Sequence, residues 1–136
     1  MLVRAAQEKK DFQLVGLLEE NGHDLIGTNA NELFPSLAKN LVISDSLDKI
    51  LKVSDVVIDF TNPENSVKVA EEAAKYRVVD VIGTTGFSKS QIKKIQNLSK
   101  NTTIIRAGNM SLGVNILTGI SAKIAEALDS DFDIEI

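Results

Sequence analysis

The sequence predicts an α/β domain built on a parallel sheet, and two kinds of segment support this prediction. Short runs rich in β-branched residues occur at Val56–Phe60, Val78–Ile82 and Thr102–Ile105. Between these runs, apolar residues recur every three or four positions, which is the period of an amphipathic helix. Buried strands that alternate with helices indicate βαβ units, and their right-handed crossovers produce a parallel sheet with helices on both faces.

The N-terminal part of the chain is less regular. We predict a helix fragment over Met1–Lys10 and a strand over Phe12–Leu18. A stretch rich in Gly and Asn follows, with a short helix predicted around Asn31–Leu37. Another helix is predicted over Ser46–Lys52.

Helix-capping residues predict where the helices begin in the rest of the chain. Asn62 before a proline predicts a helix start, because an Asn cap and a proline in the first turn are both favoured there. Ser88 and Gln91 have the spacing of a capping box. We predict a longer helix over Val114–Leu128 and a strand over Phe132–Ile136. The result is a Rossmann-like, doubly wound parallel sheet.

Composition excludes several classes of function. The chain has 136 residues, a formal net charge of −4, one histidine and no cysteine. One domain is expected, with no disulfide framework and no thiolate metal site. Mild acidity is not typical of nucleic-acid binding, and no apolar run is long enough to span a membrane. We therefore expect a cytoplasmic protein without a metal site and without a nucleophile–base constellation.

Ligands of such sheets bind at the carboxyl ends of the strands, so the loops there are the candidate sites. Glu19 follows the first predicted strand, where an acidic residue can accept hydrogen bonds from a ribose; a solvated acidic turn is the alternative. Gly83–Phe87 places Thr84 and Thr85 between two glycines. This pattern favours a binding role over a plain turn, because glycines admit a ligand to the backbone.

The next loop, Ala107–Asn115, reaches the same edge of the predicted sheet. Asn109 offers an amide and Met110 an apolar surface suited to a flat ring, whereas Ser111 is interpreted as a helix cap. Asp59 is interpreted as a buried hydrogen-bonding carboxylate, with a binding role as the alternative. We interpret His23, Lys93 and Lys94 as solvated surface residues.

Four segments, taken in order, resemble the successive signatures of the dihydrodipicolinate reductase family. They are Val57–Thr61, Val81–Phe87, Asn109–Asn115 and Asp133–Ile136. The second and third are specific to that family, and the resemblance extends over the whole chain.

The resemblance implies a cytoplasmic, homotetrameric oxidoreductase of diaminopimelate and lysine biosynthesis. Such enzymes use NADH or NADPH to reduce a small cyclic imine dicarboxylate, 4-hydroxy-tetrahydrodipicolinate or dihydrodipicolinate. By position, Glu19 would hold the adenosine ribose, and Thr85 would also lie near the substrate. The nicotinamide end of the cofactor would contact two groups of residues: Gly83, Thr84 and Thr85 on one side, and Ala107, Gly108, Asn109 and Met110 on the other.

The sequence departs from the family pattern in three respects. The family's first strand and glycine-rich phosphate loop would precede Met1, so the sheet is expected to be incomplete. The histidine-rich catalytic motif and its lysine proton donor would follow Ile136, so we assign no catalytic residue and expect these residues alone to be inactive. Glu20 stands where many members carry an arginine for the 2′-phosphate of NADPH. Because adjacent carboxylates repel a phosphate, we expect NADH to serve at least as well as NADPH.

The expected organisation is a partial nucleotide-binding domain over residues 1–129 and the first strand of a substrate and tetramerisation domain over residues 130–136. Two alternatives stay open. One is a non-catalytic nucleotide-binding regulatory module, and the other is a different Rossmann reductase such as a homoserine or semialdehyde dehydrogenase.

Overall fold

The computed structural model describes residues 2–35, 37, 40–128 and 132–133. Six helices and three strands are formed within these residues. In chain order they are α1 Leu2–Gln7, α2 Ala30–Leu33, α3 Leu47–Leu51, β1 Val56–Asp59, α4 Pro63–Tyr76, β2 Val79–Ile82, α5 Lys89–Leu98, β3 Ile104–Arg106 and α6 Leu112–Ala127.

The three strands form one parallel sheet in the order β1-β2-β3, which confirms the predicted α/β architecture. In this register, Asp59 of β1 lies opposite Ile82 of β2, and Ile82 lies opposite Arg106 of β3. The carboxyl ends of all three strands therefore lie side by side along one edge.

Helices α4 and α5 cover one face of this sheet. Val67 and Ala70 of α4 are buried with Ile95 of α5 against Ile82, while Ile104 packs at the margin of the same cluster. A second cluster joins α3 to α4. Since α4 contributes buried residues to both clusters, it positions the sheet relative to the N-terminal part of the chain.

The opposite face of the sheet carries exposed apolar side chains. Val56, Ile58, Phe60 and Ile105 are each between 43% and 51% exposed. Helix α6 begins two residues before the predicted start and has no buried residue. The packed helices that the structure describes thus lie on one face only.

The capping predictions are confirmed. Asn62 caps α4 by accepting a hydrogen bond from the Asn65 N–H, and a proline opens the helix. Ser88 and Gln91 form the reciprocal capping box of α5. Ser111 caps α6 by accepting from the Val114 N–H at 3.4 Å.

The predicted strand over Phe12–Leu18 is wrong. Only Leu18 takes part in β-pairing, as an isolated parallel bridge to Ser44. Leu14 and Leu17 instead pack against the buried cluster formed by Ala30, Leu37 and Ile43. A strand forms where its backbone pairs with a neighbouring strand over several residues. Within the described residues, this segment pairs at Leu18 alone. The short helices predicted in the same region are confirmed and are shorter than predicted, and α2 begins one residue before the predicted Asn31.

The predicted C-terminal strand falls mostly outside the described residues. Phe132 and Asp133 are described and are not in a strand. The proposed domain boundary at residues 129 and 130 also lies outside them. In the part of the chain that is described, no helix combines the length and apolar character needed to cross a bilayer.

Candidate functional site

The candidate site lies where β2 and β3 end. Because Ile82 and Arg106 are register partners, the loops that follow them leave the sheet next to each other. Gly83–Thr85 continues β2, and Ala107–Met110 continues β3. The tertiary structure therefore brings together two of the three groups that the sequence analysis selected.

The first of these loops is fixed to the end of β1. The Gly83 N–H donates to the Asp59 carbonyl oxygen at 2.8 Å. A β-carbon at Gly83 would lie 2.2 Å from Cε1 of the Phe60 ring. Because this distance is far below van der Waals contact, only glycine fits here without moving the ring.

Thr84 and Thr85 have different environments. Thr84 is 5% exposed, and its hydroxyl oxygen accepts a hydrogen bond from the Thr61 N–H at 2.9 Å. The Thr61 hydroxyl in turn donates to Oδ1 of Asp59 at 2.7 Å. Thr84 therefore ties its loop to the loop after β1, whereas Thr85 is exposed and can present its hydroxyl to a ligand.

Two carboxyl groups are buried beneath this edge. Asp59 is 3% exposed, as its interpretation as a buried carboxylate predicted, and Asp80 is fully buried. Burial, and secondarily the charge of Asp59, raises the pKa of the Asp80 carboxyl to about 7. Asp80 is not among the candidate residues predicted from the sequence. The available signal was an acidic residue in the middle of the apolar run Val78–Ile82.

The second loop is held by its own side chains. Oδ1 of Asn109 accepts from the Ser111 N–H at 2.8 Å, and the Asn109 carbonyl oxygen accepts from the Asn115 side-chain amide at 3.3 Å. Met110 is exposed, and a β-carbon at Gly108 would meet no atom within 4 Å. The loop therefore presents an open backbone, a fixed amide and an apolar side chain to the surface.

Glu19 and Glu20 lie in the N-terminal part of the chain. The Glu19 N–H donates to the Ser44 carbonyl oxygen at 3.0 Å, and Oε1 of Glu19 accepts from the Glu20 N–H at 3.0 Å. Leu18, just before them, pairs with Ser44, outside the three-stranded sheet. Glu19 is half-buried and Glu20 is exposed. Their role in binding a ribose stays a prediction.

The remaining polar candidates lie at the surface, as predicted. His23 is exposed, and its Nδ1 accepts from the Leu25 N–H. Lys93 is also exposed, and Lys94 forms an ion pair with Glu71 at 2.8 Å. Within the described ranges, no cluster of three or more His, Cys, Asp or Glu residues could hold a metal ion.

The fold and the loops at its carboxyl edge define the class of Rossmann-like α/β domains. Within that class, the family described as "Dihydrodipicolinate reductase, N-terminus" matches residues 1–110, and the chain belongs to this family. Membership favours the reductase interpretation over a homoserine or semialdehyde dehydrogenase.

Curated relatives support the same assignment over the full chain. A 4-hydroxy-tetrahydrodipicolinate reductase of Ruegeria pomeroyi is 43% identical over 136 residues, which are 100% of this chain and 51% of the relative. The reductase of Roseobacter denitrificans is 40% identical over 100% of this chain and 50% of its own length. The chain thus spans about half the length of these relatives.

A solved structure has a similar fold. A dihydrodipicolinate reductase from Paenisporosarcina sp. TG-14, with dipicolinate bound, superposes with a TM-score of 0.70 over 90% of this chain and 47% of that one. The two sequences are 21% identical, so this comparison supports the fold alone.

Proposed function

We propose that this chain forms the cofactor-binding portion of an NAD(P)H-dependent reductase of 4-hydroxy-tetrahydrodipicolinate in lysine and diaminopimelate biosynthesis. One observation carries the proposal. The loops Gly83–Thr85 and Ala107–Met110 leave two hydrogen-bonded parallel strands side by side. Open α/β sheets bind their ligands at such an edge.

The residues at this edge fit the nicotinamide end of a dinucleotide. Thr85 offers a hydroxyl that can donate or accept, and Gly108 leaves room for a ligand to reach the backbone. Since Oδ1 of Asn109 accepts from the Ser111 N–H, its amide can offer Nδ2 as a donor to a carboxamide oxygen. Met110 supplies a polarizable surface for the ring.

These groups indicate what the cofactor and the protein would each contribute to the reaction. When bound, the cofactor supplies the hydride, and the protein contributes position and polarity. Thr85 lies at the surface of the loop and is the residue of this set that we place near the substrate. Asp80 is too deeply buried to deliver a proton to a bound imine. We therefore assign no proton donor among the described residues.

The adenosine end of the cofactor is assigned to Glu19, whose carboxylate would accept hydrogen bonds from the ribose hydroxyls. Glu20 is exposed beside it. Two neighbouring negative charges disfavour the 2′-phosphate of NADPH, so NADH serves at least as well as NADPH. Lys9 and Lys10, which follow α1 and are exposed, are the nearest cations in sequence that could offset this repulsion.

The complete protein would act as a cytoplasmic homotetramer on a small cyclic imine dicarboxylate. The net charge of −4 supports a small-molecule substrate rather than a nucleic acid or an anionic membrane. A regulatory module would bind the same cofactor without consuming it, so turnover separates these two functions.

The test is a titration of the complete protein with NADH, followed by a turnover assay with the imine. Binding should be weakened by Thr85→Val and Asn109→Ala, whereas Lys93→Ala, an exposed change on α5, should leave it unchanged. Binding without turnover in the wild type would favour the regulatory module. Absence of NADH and NADPH binding would overturn the proposal.

A further inference from the structure

We infer that Asp80 is a positioning residue whose buried carboxyl group, on the same face of the sheet as Asp59, makes the geometry of the loop Gly83–Thr85 depend on pH. The part of this inference that concerns the cofactor rests on the proposed function. The part that concerns the carboxyl pair stands on its own.

The register places the two carboxyl groups on the same face of the sheet. Asp80 lies opposite Val57, and Asp59 is two residues further along the same strand as Val57. Because side chains alternate along a strand, Val57 and Asp59 point to the same side as Asp80. That side is covered by α4, and neither carboxyl group is accessible to solvent to any useful extent.

Three of the four carboxyl oxygens of Asp59 and Asp80 have no hydrogen-bond partner among the described residues. Oδ1 of Asp59 accepts from the Thr61 hydroxyl at 2.7 Å. Oδ2 of Asp59 and both carboxyl oxygens of Asp80 have no partner among the described residues. Two ionised carboxylates on one buried face would repel each other, whereas a protonated Asp80 is uncharged and adds no such repulsion.

The charged groups around the pair do not compensate for a second negative charge. On this face, β1 contributes one charged side chain, Asp59, and β3 contributes one, Arg106. Arg106 is exposed and lies over the Phe87 ring. The charged residues of the two covering helices are exposed or half-buried: Glu64, Lys68, Glu71, Glu72 and Lys75 on α4, and Lys89, Lys93 and Lys94 on α5. Burial and Asp59, in that order, account for the raised pKa of Asp80.

A short path links the pair to the candidate site. The backbone carbonyl oxygen of Asp59 accepts a hydrogen bond from the Gly83 N–H. The side chain of Asp59 accepts a hydrogen bond from the Thr61 hydroxyl. The Thr61 N–H donates to the hydroxyl oxygen of Thr84, the residue before Thr85. Ionisation of Asp80 places a second negative charge on the same face as Asp59. The repulsion disturbs the two hydrogen bonds that Asp59 accepts from Gly83 and Thr61. The loop is therefore best ordered while Asp80 is protonated.

The experiment is a titration of NADH into the complete protein between about pH 6 and about pH 8.5, a range that brackets the ionisation of Asp80. The wild type should lose about fivefold in affinity across this range, a typical coupling between two sites. Asp80→Asn has nearly the same size and is neutral throughout this range, so its affinity should be nearly independent of pH. Asp55→Asn, which neutralises an exposed carboxylate just before β1, should keep the wild-type profile.

A second readout protects the test against a variant that does not fold. The infrared spectrum of the wild-type protein should lose the band of one protonated carboxyl group over the same pH range, and this needs no substitution. A wild-type affinity that does not change with pH, or a profile in Asp80→Asn equal to that of the wild type, would overturn the inference. If the protein binds no NADH at any pH, the proposed function fails, while the infrared measurement still decides whether Asp80 carries the proton.

Discussion

The Phe60 ring lies directly over Gly83, so that a β-carbon at residue 83 would be 2.2 Å from the ring. The residue after β1 thus covers the first residue of the loop after β2. The hydrogen bond from the Gly83 N–H to the Asp59 carbonyl oxygen, 2.8 Å long, joins the same two segments. Together, these contacts determine where the loop Gly83–Thr85 begins.

Gly83→Ala should destabilise the protein because the new methyl group must displace the Phe60 ring. Overpacking of this kind costs about 1–3 kcal/mol. The free energy of unfolding, measured with urea, checks this value. Gly108→Ala is the matched control, since a β-carbon there meets no atom within 4 Å. Equal stability of the two variants would contradict the close contact at residue 83.

Thr84→Val should lower stability because the Thr61 N–H loses its acceptor in a partly buried hydrogen bond. The loss of such a hydrogen bond costs about 0.5–1.5 kcal/mol. Thr85→Val, at the exposed neighbour, should change stability little and weaken NADH binding instead. Urea unfolding and an NADH titration on both variants separate the two roles. If Thr85→Val proved the more destabilising of the two, the assignment of the buried hydroxyl would be wrong.

Because of Asp80, stability should fall as the pH rises from about 4 to about 7. Its pKa is about 7 in the folded state and 3.8 at its ordinary value, so the folded state binds more protons between these values. The contribution to stability is complete below the unfolded pKa and lost as the pH rises through the folded pKa. Full ionisation of the buried group costs up to about 4 kcal/mol.

The measurement for this prediction is the difference in unfolding free energy between the wild type and Asp80→Asn at each pH, which cancels the carboxylates that the two proteins share. As the pH rises, the variant should become more stable relative to the wild type. A constant difference would show that Asp80 does not titrate in this range.

Ser88→Ala should destabilise α5 by about 1 kcal/mol because it removes one half of the capping box. The Ser88 side chain accepts from the Gln91 N–H, and the Gln91 side chain accepts from the Ser88 N–H. Ser99→Ala, at the other end of the helix, is the control and should cost less than about 0.5 kcal/mol. Thermal unfolding measures both. Indistinguishable melting temperatures would show that the cap contributes nothing to stability.

Glu20→Arg should raise the preference for NADPH over NADH by about tenfold, which corresponds to about 1.4 kcal/mol. The substitution removes a repulsive carboxylate and adds a guanidinium that can pair with the 2′-phosphate. Glu20→Gln removes only the repulsion and should give an intermediate ratio. The ratio of kcat/KM for the two cofactors in the complete protein is the measurement. An unchanged ratio in both variants would place the ribose away from Glu20.

Much of the fold could be predicted from local patterns. The starts of α4, α5 and α6 follow from Asn62, Ser88 and Ser111, because capping depends on residues that are close in sequence. The parallel order of the strands follows from the alternation of β-branched runs with amphipathic helices. The adjacency of two candidate loops then follows from the sheet itself.

Other features could not be predicted because they depend on which segments become neighbours. Phe12–Leu18 has the composition of a strand, yet pairing involves only Leu18 because no longer stretch of backbone lies beside it. Thr84 and Thr85 are chemically the same, and only the approach of Thr61 decides which hydroxyl is buried.

By itself, the sequence determined the family, the parallel sheet, the helix caps and the loops that carry the candidate site. Each of these features depends on residues that are close to one another along the chain. The tertiary structure alone decided that Asp59 and Asp80 are buried together on one face of the sheet and that Phe60 lies over Gly83. The physical reason is that burial and proximity arise only when distant strands pair, and these two conditions set both the proton affinity of a carboxyl group and the room left for a side chain.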